Sequence, residues 1–172
     1  LEIVNSYEIA AKDIMKKMLP EGIDLSKEQY LFIIGGYGNF GKMMSKQLLD
    51  RFELSNLDNF LIYVIDIKDD RKSEIEMFKS IYSKDDNILN DSKIKFLKRD
   101  IRNLTTWDDI YNEKESKGKK IIAILSTDND AINISTTLSI AKISKKYNVD
   151  LKIMTRFFKK VNHFVTCFKF FF

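Results

Sequence analysis

The sequence predicts an α/β fold, a doubly wound parallel sheet of about six strands in the order 3-2-1-4-5-6 with helices on both faces. Short apolar runs alternate with segments of helical periodicity, and the connections between the runs are too long for hairpins. A glycine-rich turn also follows the first run. Because parallel strands need right-handed crossovers, this alternation favours a sheet wound outward in two directions from its first strand.

A segment of helical periodicity precedes the first strand. Apolar side chains recur at helical spacing over residues 1–19, and Pro20 and Gly22 end this helix. We expect an N-terminal amphipathic helix and linker over residues 1–24, followed by the α/β domain over residues 25–172. The helix is interpreted as packed on the edge of the domain, with a connector from a preceding segment as the alternative.

The apolar pattern predicts the remaining elements. Strands are expected from Tyr30 onward and over residues 61–65, 94–97, 121–125, 151–155 and 164–170, with helices between them over residues 40–52, 71–82, 105–111 and 131–147. Trp107 is expected to pack inward in the third of these helices. In the fourth, Ile134, Leu138 and Ala141 are expected to form the buried face.

The turn after the first strand carries the most specific motif. Gly36, Gly38 and Gly41 have the spacing G-x-G-x-x-G between a strand and a helix, the context required of a Rossmann dinucleotide fingerprint. Gly36 would permit a tight turn, Gly38 a close approach to a pyrophosphate, and Gly41 close packing of the helix on the sheet. The first N–H groups of the helix would face phosphates. The predicted nucleotide site therefore includes Gly36, Tyr37, Gly38, Asn39, Phe40 and Gly41.

Acidic residues follow the next two predicted strands. The carboxylate of Asp66 would accept hydrogen bonds from both ribose hydroxyls of an adenosine, which favours NAD over NADP; the alternative is a solvated strand end. Ile67 and Lys68 continue the site, and the nearby cations Lys68, Arg71 and Lys72 leave room for a ligand with extra phosphate. Asp100 and Ile101, after the third strand, are expected to border the adenine.

Thr127 and Asp128 follow the fourth predicted strand. In a doubly wound sheet the ligand binds where the strand order reverses, so these residues would face the glycine turn. They also lie in the polar run Ser126–Asp130, which supplies N-cap residues for the long helix that follows. Capping alone is the alternative to ligand binding, and the two roles are compatible.

The residues of a catalytic site are not found. None of the seven tyrosines is followed by lysine four positions later, as a short-chain dehydrogenase requires, and the single histidine, His163, lies far from the predicted site. There is no Ser/His/Asp set and no metal-ligand spacing. Nearly the whole chain is used by the nucleotide fold, which leaves no second domain for a substrate. We therefore predict a binding protein, not an enzyme.

Composition excludes several other classes. The net charge is +4 and the basic residues are scattered in pairs, so nucleic-acid binding is not expected. One cysteine forbids an internal disulfide, and no window has the roughly 18 apolar residues needed to cross a bilayer, so a cytoplasmic location is expected. Seven of the thirteen phenylalanines lie within residues 157–172, which indicates a partner surface or a truncated continuation.

These motifs together resemble the TrkA-N domain, also called KTN or RCK, from about residue 30 to residue 160. The glycine turn resembles that family's Gly-Tyr-Gly form, and Val-Ile-Asp at residues 64–66 resembles the end of its second strand. Residues 125–133 resemble its Thr-Asp-Asp-x-x-Asn stretch, and residues 153–156 its Ile-Ala-Arg strand. Three features depart from the pattern. Arg99 replaces the usual glycine beside Asp100, which would crowd the adenine pocket. The link between the second and third strands is longer than usual, and no C-terminal ligand-binding subdomain follows.

The resemblance implies a regulatory module for a potassium channel or transporter, located in the cytoplasm and tethered at the inner face of the membrane. It implies binding of NAD(H), with ATP, ADP or AMP as other ligands, and assembly as a homodimer or a ring-like oligomer. Two alternatives remain open at this point. One is a small NAD(P)-dependent oxidoreductase. The other is a Rossmann assembly module whose pocket is blocked by Tyr37 or Arg99.

Overall fold

The computed structural model describes residues 6–20, 24–53, 59–82, 93–158 and 163–170. For residues 53, 81–82, 157–158 and 163–170 it describes the backbone only. The predicted partner surface in the phenylalanine-rich segment depends on side chains outside the described ones. Residues 1–5 of the predicted N-terminal helix and residues 21–23 of the linker also lie outside the described residues.

One six-stranded sheet organises the chain, in the order β3-β2-β1-β4-β5-β6, which confirms the predicted strand order. The strands are β1 (Tyr30–Gly35), β2 (Phe60–Asp66), β3 (Ile94–Lys98), β4 (Lys120–Leu125), β5 (Leu151–Phe158) and β6 (His163–Phe170). The helices are α1 (Ser6–Met18), α2 (Asn39–Glu53), α3 (Asp70–Tyr82), α4 (Leu104–Asn112) and α5 (Asp130–Tyr147).

The sixth strand differs from the parallel arrangement predicted for the whole sheet. Strands β1 to β5 are parallel to their neighbours. Strand β6 is antiparallel to β5, with Phe158 opposite His163 and Leu151 opposite Phe170. Only residues 159–162 separate the two strands. A parallel pair needs a crossover of about a dozen residues or more, so a connection this short permits only the antiparallel pairing.

Apolar cores lie on both faces of the sheet, because successive strand side chains point to opposite sides. Phe32 and Ile34 of β1 belong to a core shared with α1 and α2. Leu31 and Ile33 belong to the core on the other face, with α4 and α5. Trp107 of α4 is fully buried in this second core, as predicted. The doubly wound fold is therefore confirmed.

Helix α1 is part of the first core. It buries four residues, Ala11, Ile14, Met15 and Met18, against α2 and the sheet. The ammonium group of Lys152, on β5, donates hydrogen bonds to the carbonyl oxygens of Lys17 and Met18 at 2.8 Å and 3.1 Å. These carbonyls lie in the last turn of the helix, where no intrahelical donor remains. Helix α1 is thus fastened to β5 at its C-terminal end.

The predicted buried face of α5 is wrong. Ile134 and Leu138 are 46% and 66% exposed, and Ala141 is only partly buried. The helix instead buries Asn133, Thr136, Thr137, Ile140, Ile143 and Ser144. The reason is a set of hydrogen bonds made by the buried polar side chains, which fixes the rotation of the helix more strongly than its apolar residues do. Within the described residues, no helix is both long and apolar enough to cross a membrane.

Candidate functional site

A cleft of about 360 Å³ opens at the carboxyl ends of the parallel strands. It lies between β1 and β4, where the strand order reverses, which is the place at which doubly wound sheets bind ligands. Its walls come from the turns after β1, β2, β3 and β4, from β5 and from α1. Its volume falls within the range of about 300–1,000 Å³ that is usual for small-molecule sites.

Eleven of the thirteen predicted site residues line this cleft. They are Gly36, Gly38, Asn39, Phe40, Asp66, Ile67, Lys68, Asp100, Ile101, Thr127 and Asp128. The two that do not are Tyr37 and Gly41, and both have structural roles in the turn that forms one wall. Segments that are far apart in the sequence are therefore brought together at one edge of the sheet.

The three glycines of the turn occupy three different environments. Gly36 has a φ of 94°, a conformation that side chains rarely adopt, as the tight turn requires. A Cβ atom on Gly41 would collide with the carbonyl oxygen of Gly36, so α2 packs against the turn more closely than any larger residue allows. A Cβ atom on Gly38 would meet no atom within 4 Å, because this position faces the cleft. The turn thus presents bare backbone to whatever enters.

Tyr37 does not block the cleft, contrary to one of the alternatives considered above. Its side chain is only 2% exposed and packs in the core with Phe40 and Met44. Burial raises the pKa of its phenol to about 12. Its backbone N–H has a separate role, because it donates to the Oδ2 atom of Asp66 at 2.7 Å. Tyr37 therefore connects the glycine turn to the end of β2.

Asp66 is held in place by two backbone amides. In addition to the bond from Tyr37, the N–H of Lys68 donates to its Oδ1 atom at 3.0 Å. The side chain is 12% exposed, and the Nε atom of Arg71 lies 4.0 Å from Oδ2. A carboxylate has about four acceptor positions, so one more hydrogen bond remains available on each oxygen. The carboxylate is thus fixed in orientation and still able to accept from a ligand.

The cations next to Asp66 and Asp100 are engaged in ion pairs. Arg71 donates through one nitrogen to both carboxylate oxygens of Glu74, at 2.8 Å and 2.7 Å. Hydrogen bonds from Arg102 lower the pKa of Asp100. The guanidinium group of Arg99, the residue expected to crowd the pocket, pairs with Asp109 of α4. Arg99 still contributes to the wall of the cleft.

The turn after β4 is tied to the glycine turn and to α5. The hydroxyl of Ser126 donates to the carbonyl oxygen of Gly36 at 2.7 Å. The hydroxyl of Thr127 donates to Oδ1 of Asn133 at 2.6 Å. Asn129 caps α5, since its side chain accepts from the N–H of Ile132. The predicted capping run is therefore confirmed, and Thr127 lines the cleft while it is anchored to the helix.

Eight further residues line the cleft that are not among the thirteen predicted site residues: Tyr7, Ile65, Arg71, Arg99, Arg102, Ser126, Ile132 and Arg156. Of these, Arg71 and Arg99 are expected from the sequence to lie near the site. For Arg156 a signal exists, because it lies near the carboxyl end of the fifth parallel strand and that edge carries the site. For Tyr7 there is none, because its position follows from the docking of α1 on the sheet. The complete lining has five cationic and three acidic side chains, and three of the cations, Arg71, Arg99 and Arg102, are in ion pairs with carboxylates.

Among the described residues, no three or more His, Cys, Asp or Glu side chains are grouped so that they could hold a metal ion. Comparison of the chain with models of known protein families gave no match, and comparison with curated proteins gave none either. The resemblance to TrkA-N domains therefore stays a prediction, supported by the motifs in the sequence.

Proposed function

We propose that the cleft binds a nucleotide, with NAD(H) as the first expected ligand and ATP, ADP or AMP as the alternatives. One observation carries the proposal. The glycine turn and the acid at the end of β2 are joined directly, through the bond of 2.7 Å from the N–H of Tyr37 to Asp66. Bare backbone and an oriented carboxylate thus lie side by side in one cleft.

Each part of that wall suits a different part of a nucleotide. Asp66 would accept from ribose hydroxyls, since both of its oxygens are oriented and neither is saturated. The first N–H groups of α2, a helix of 15 residues, have no intrahelical acceptor and would bind phosphate oxygens. Gly38 would let the phosphates approach, because nothing projects from it. Ile101 and Ile67 would supply apolar contact for a base.

We further propose that nucleotide binding regulates a potassium channel or transporter, with this chain in a homodimer or a ring-like oligomer. This part rests on the resemblance of the glycine turn, of residues 64–66 and of residues 125–133 to the TrkA-N domain. A ligand can act in this way only if it binds one arrangement of the partner domains better than another. Coupling of about 1–3 kcal/mol is typical of such systems.

Calorimetric titration of the full chain with NAD, NADH, ATP, ADP and AMP tests the binding proposal. We expect at least one of the five to bind. Gly38→Val should abolish this binding, because the side chain would occupy the space where the phosphates are expected, whereas a Cβ atom at this position meets no protein atom within 4 Å. Ser135→Val, on the exposed side of α5, is the control and should bind as the wild type does.

Two results would contradict the proposal. Failure of all five nucleotides to bind the wild type would show that the cleft has another use. Unchanged affinity in a folded Gly38→Val variant would show that the nucleotide binds elsewhere.

A further inference from the structure

Arg156 is a buried cation in the wall of the cleft. Its side chain is 2% exposed, and it lies on β5, two residues before the strand ends. Its guanidinium carbon is 4.8 Å from the centre of the Tyr7 ring and 4.7 Å from the centre of the Phe40 ring. Two aromatic side chains from two different helices therefore hold one guanidinium group. Aromatic faces attract guanidinium groups and fix the plane in which they lie.

The burial of this side chain has an electrostatic cost. Arginine is almost never fully buried without compensating partners, because its charge loses the stabilisation that water provides. Burial lowers the pKa of Arg156, and the effects of Tyr7 and Asp130 oppose that shift. An anion that entered the cleft would add to this compensation. Hydrogen bonds between a charged donor and a charged acceptor are about twice as strong as those between neutral groups.

The position of Arg156 suits a phosphate. Phe40, which stacks on it, is the second residue of α2, so the guanidinium group lies beside the first turn of that helix. Gly38 immediately precedes this turn and leaves the backbone open to the cleft. The positive end of a helix and a buried cation thus lie at the same part of the cleft, the combination that binds phosphate groups.

Tyr7, the second aromatic partner, connects this position to α1. It is the second residue of α1, and it lines the cleft. The opposite end of the helix is fastened to the same strand, through the hydrogen bonds of Lys152 to the carbonyl oxygens of Lys17 and Met18. Helix α1 is therefore attached to β5 at both ends, and only the attachment through Arg156 faces the cleft.

We propose that Arg156 binds a phosphate group of the nucleotide and that its stacking on Tyr7 makes the docking of α1 part of ligand binding. The inference rests on the proposed function, since it requires that the cleft hold a phosphorylated ligand. It adds one contact, between Arg156 and a phosphate group, and one element, helix α1, whose docking depends on whether the ligand is bound. A phosphate at Arg156 restrains the stacked guanidinium group further, which stabilises its contact with the ring of Tyr7 and with it the first turn of α1.

The first experiment compares ADP with adenosine in calorimetric titrations of the full chain. Arg156→Met removes the charge at similar length, and it should weaken ADP binding about ten- to a hundredfold while adenosine binding changes little. Arg156→Lys retains the charge and should recover part of the ADP affinity. Lys142→Met is the matched control, because it removes one positive charge from an exposed position on α5 and should leave both affinities unchanged.

The results separate this inference from the proposed function. If the wild type binds ADP and folded Arg156→Met binds it equally well, the inference fails and the proposed function stands. If both ligands weaken to the same extent in both Arg156 variants, the arginine only supports the fold, and the inference also fails. If the wild type binds none of the nucleotides, both proposals fail.

The second experiment measures amide hydrogen exchange in α1 with and without ADP. ADP should slow exchange in this helix of the wild type, and Tyr7→Ala should lose that slowing because the ring no longer connects α1 to Arg156. Ile9→Ala changes a half-exposed side chain on the same helix and should retain the slowing. Equal slowing in Tyr7→Ala and the wild type would overturn the proposed coupling to α1.

Discussion

Helices α2 and α5 both begin at the cleft, after β1 and β4 respectively, but they bury opposite kinds of side chain. Helix α2 presents an apolar stripe to the sheet, formed by Phe40, Met44, Leu48 and Phe52. Helix α5 buries mostly polar residues, including Asn133, Thr136, Thr137 and Ser144, and leaves Ile134 and Leu138 exposed. The same position in the fold is thus stabilised in two physically different ways.

The difference follows from the part of the cleft wall that each helix positions. Asn133 of α5 donates from one amide nitrogen to the carbonyl oxygens of Thr127 and Arg156, at 3.0 Å and 3.1 Å. Thr137 shares a hydrogen bond of 2.7 Å with Thr155 of β5. The helix therefore positions the ends of β4 and β5 by directional bonds. Helix α2 positions the glycine turn by close packing, since Gly41 leaves no room for a side chain.

The largest expected effect comes from shortening one leucine on each helix. Leu48 of α2 is fully buried, so Leu48→Ala should lower the free energy of unfolding by about 2–5 kcal/mol through lost apolar contact and a residual cavity. Leu138 of α5 is 66% exposed, and Leu138→Ala should change it by less than about 0.5 kcal/mol. Urea unfolding followed by circular dichroism measures both values. Similar losses in the two variants would show that α5 buries its apolar side.

A smaller effect is expected from removing the polar anchor of α5. Asn133→Leu fills a similar volume but leaves the carbonyl groups of Thr127 and Arg156 without their donor. The cost of such unsatisfied buried groups is about 1–3 kcal/mol in the free energy of unfolding. Ser135→Ala, on the exposed side of the same helix, is the control and should change it by less than about 0.5 kcal/mol. A stabilised Asn133→Leu variant would contradict the anchoring role.

The two helices also show what the sequence can predict of the fold. Apolar spacing indicates the buried face of α2, because Phe40, Met44, Leu48 and Phe52 recur at helical intervals and all four are buried. The same rule failed for α5, where Asn133 and Thr137 form bonds with strand residues distant in the sequence. Ile134 and Leu138 have the right spacing for a buried stripe, but the hydrogen bonds rotate them outward. A hydropathy scale gives a polar residue the same value whether or not it is hydrogen-bonded. A hydropathy pattern therefore assigns Asn133 and Thr137 to the surface.

A similar limit applies to the cleft. Residues at the carboxyl end of a strand or in the turn after it could be located from the sequence, because parallel strands bring their carboxyl ends to one edge. Asp66 and Thr127 are examples, and both line the cleft. Tyr7 could not be located, since its place in the wall depends on how α1 docks. The direction of β6 depends on a connection too short for a crossover, which the strand pattern alone does not reveal.

The smallest expected effect concerns the polar side of α2, where Glu74 of α3 accepts from Lys42 at 3.1 Å and from Arg71 at 2.7 Å. Burial would raise the pKa of Glu74, but hydrogen bonds from Arg71 and Lys42 outweigh it and lower the pKa. A lowered pKa in the folded state means that the ionised group stabilises the fold above its unfolded pKa, near 4.3, and that this contribution is lost as pH falls through the folded value.

Glu74→Gln should therefore lower the free energy of unfolding at pH 7 by less than about 1 kcal/mol, because the pair is partly exposed and screened by water. The difference from the wild type should stay constant between about pH 7 and pH 5 and shrink at lower pH, as the wild-type carboxylate is protonated. Urea unfolding of the wild type and of Glu74→Gln along this pH series measures the difference in the free energy of unfolding. Glu76→Gln, on the exposed side of α3, is the control. A difference that grows as pH falls would mean that Glu74 is held in its protonated form. The buried hydrogen bonds of α5 differ from this ion pair, since they connect the side chains of Asn133 and Thr137 to neutral partners and do not titrate.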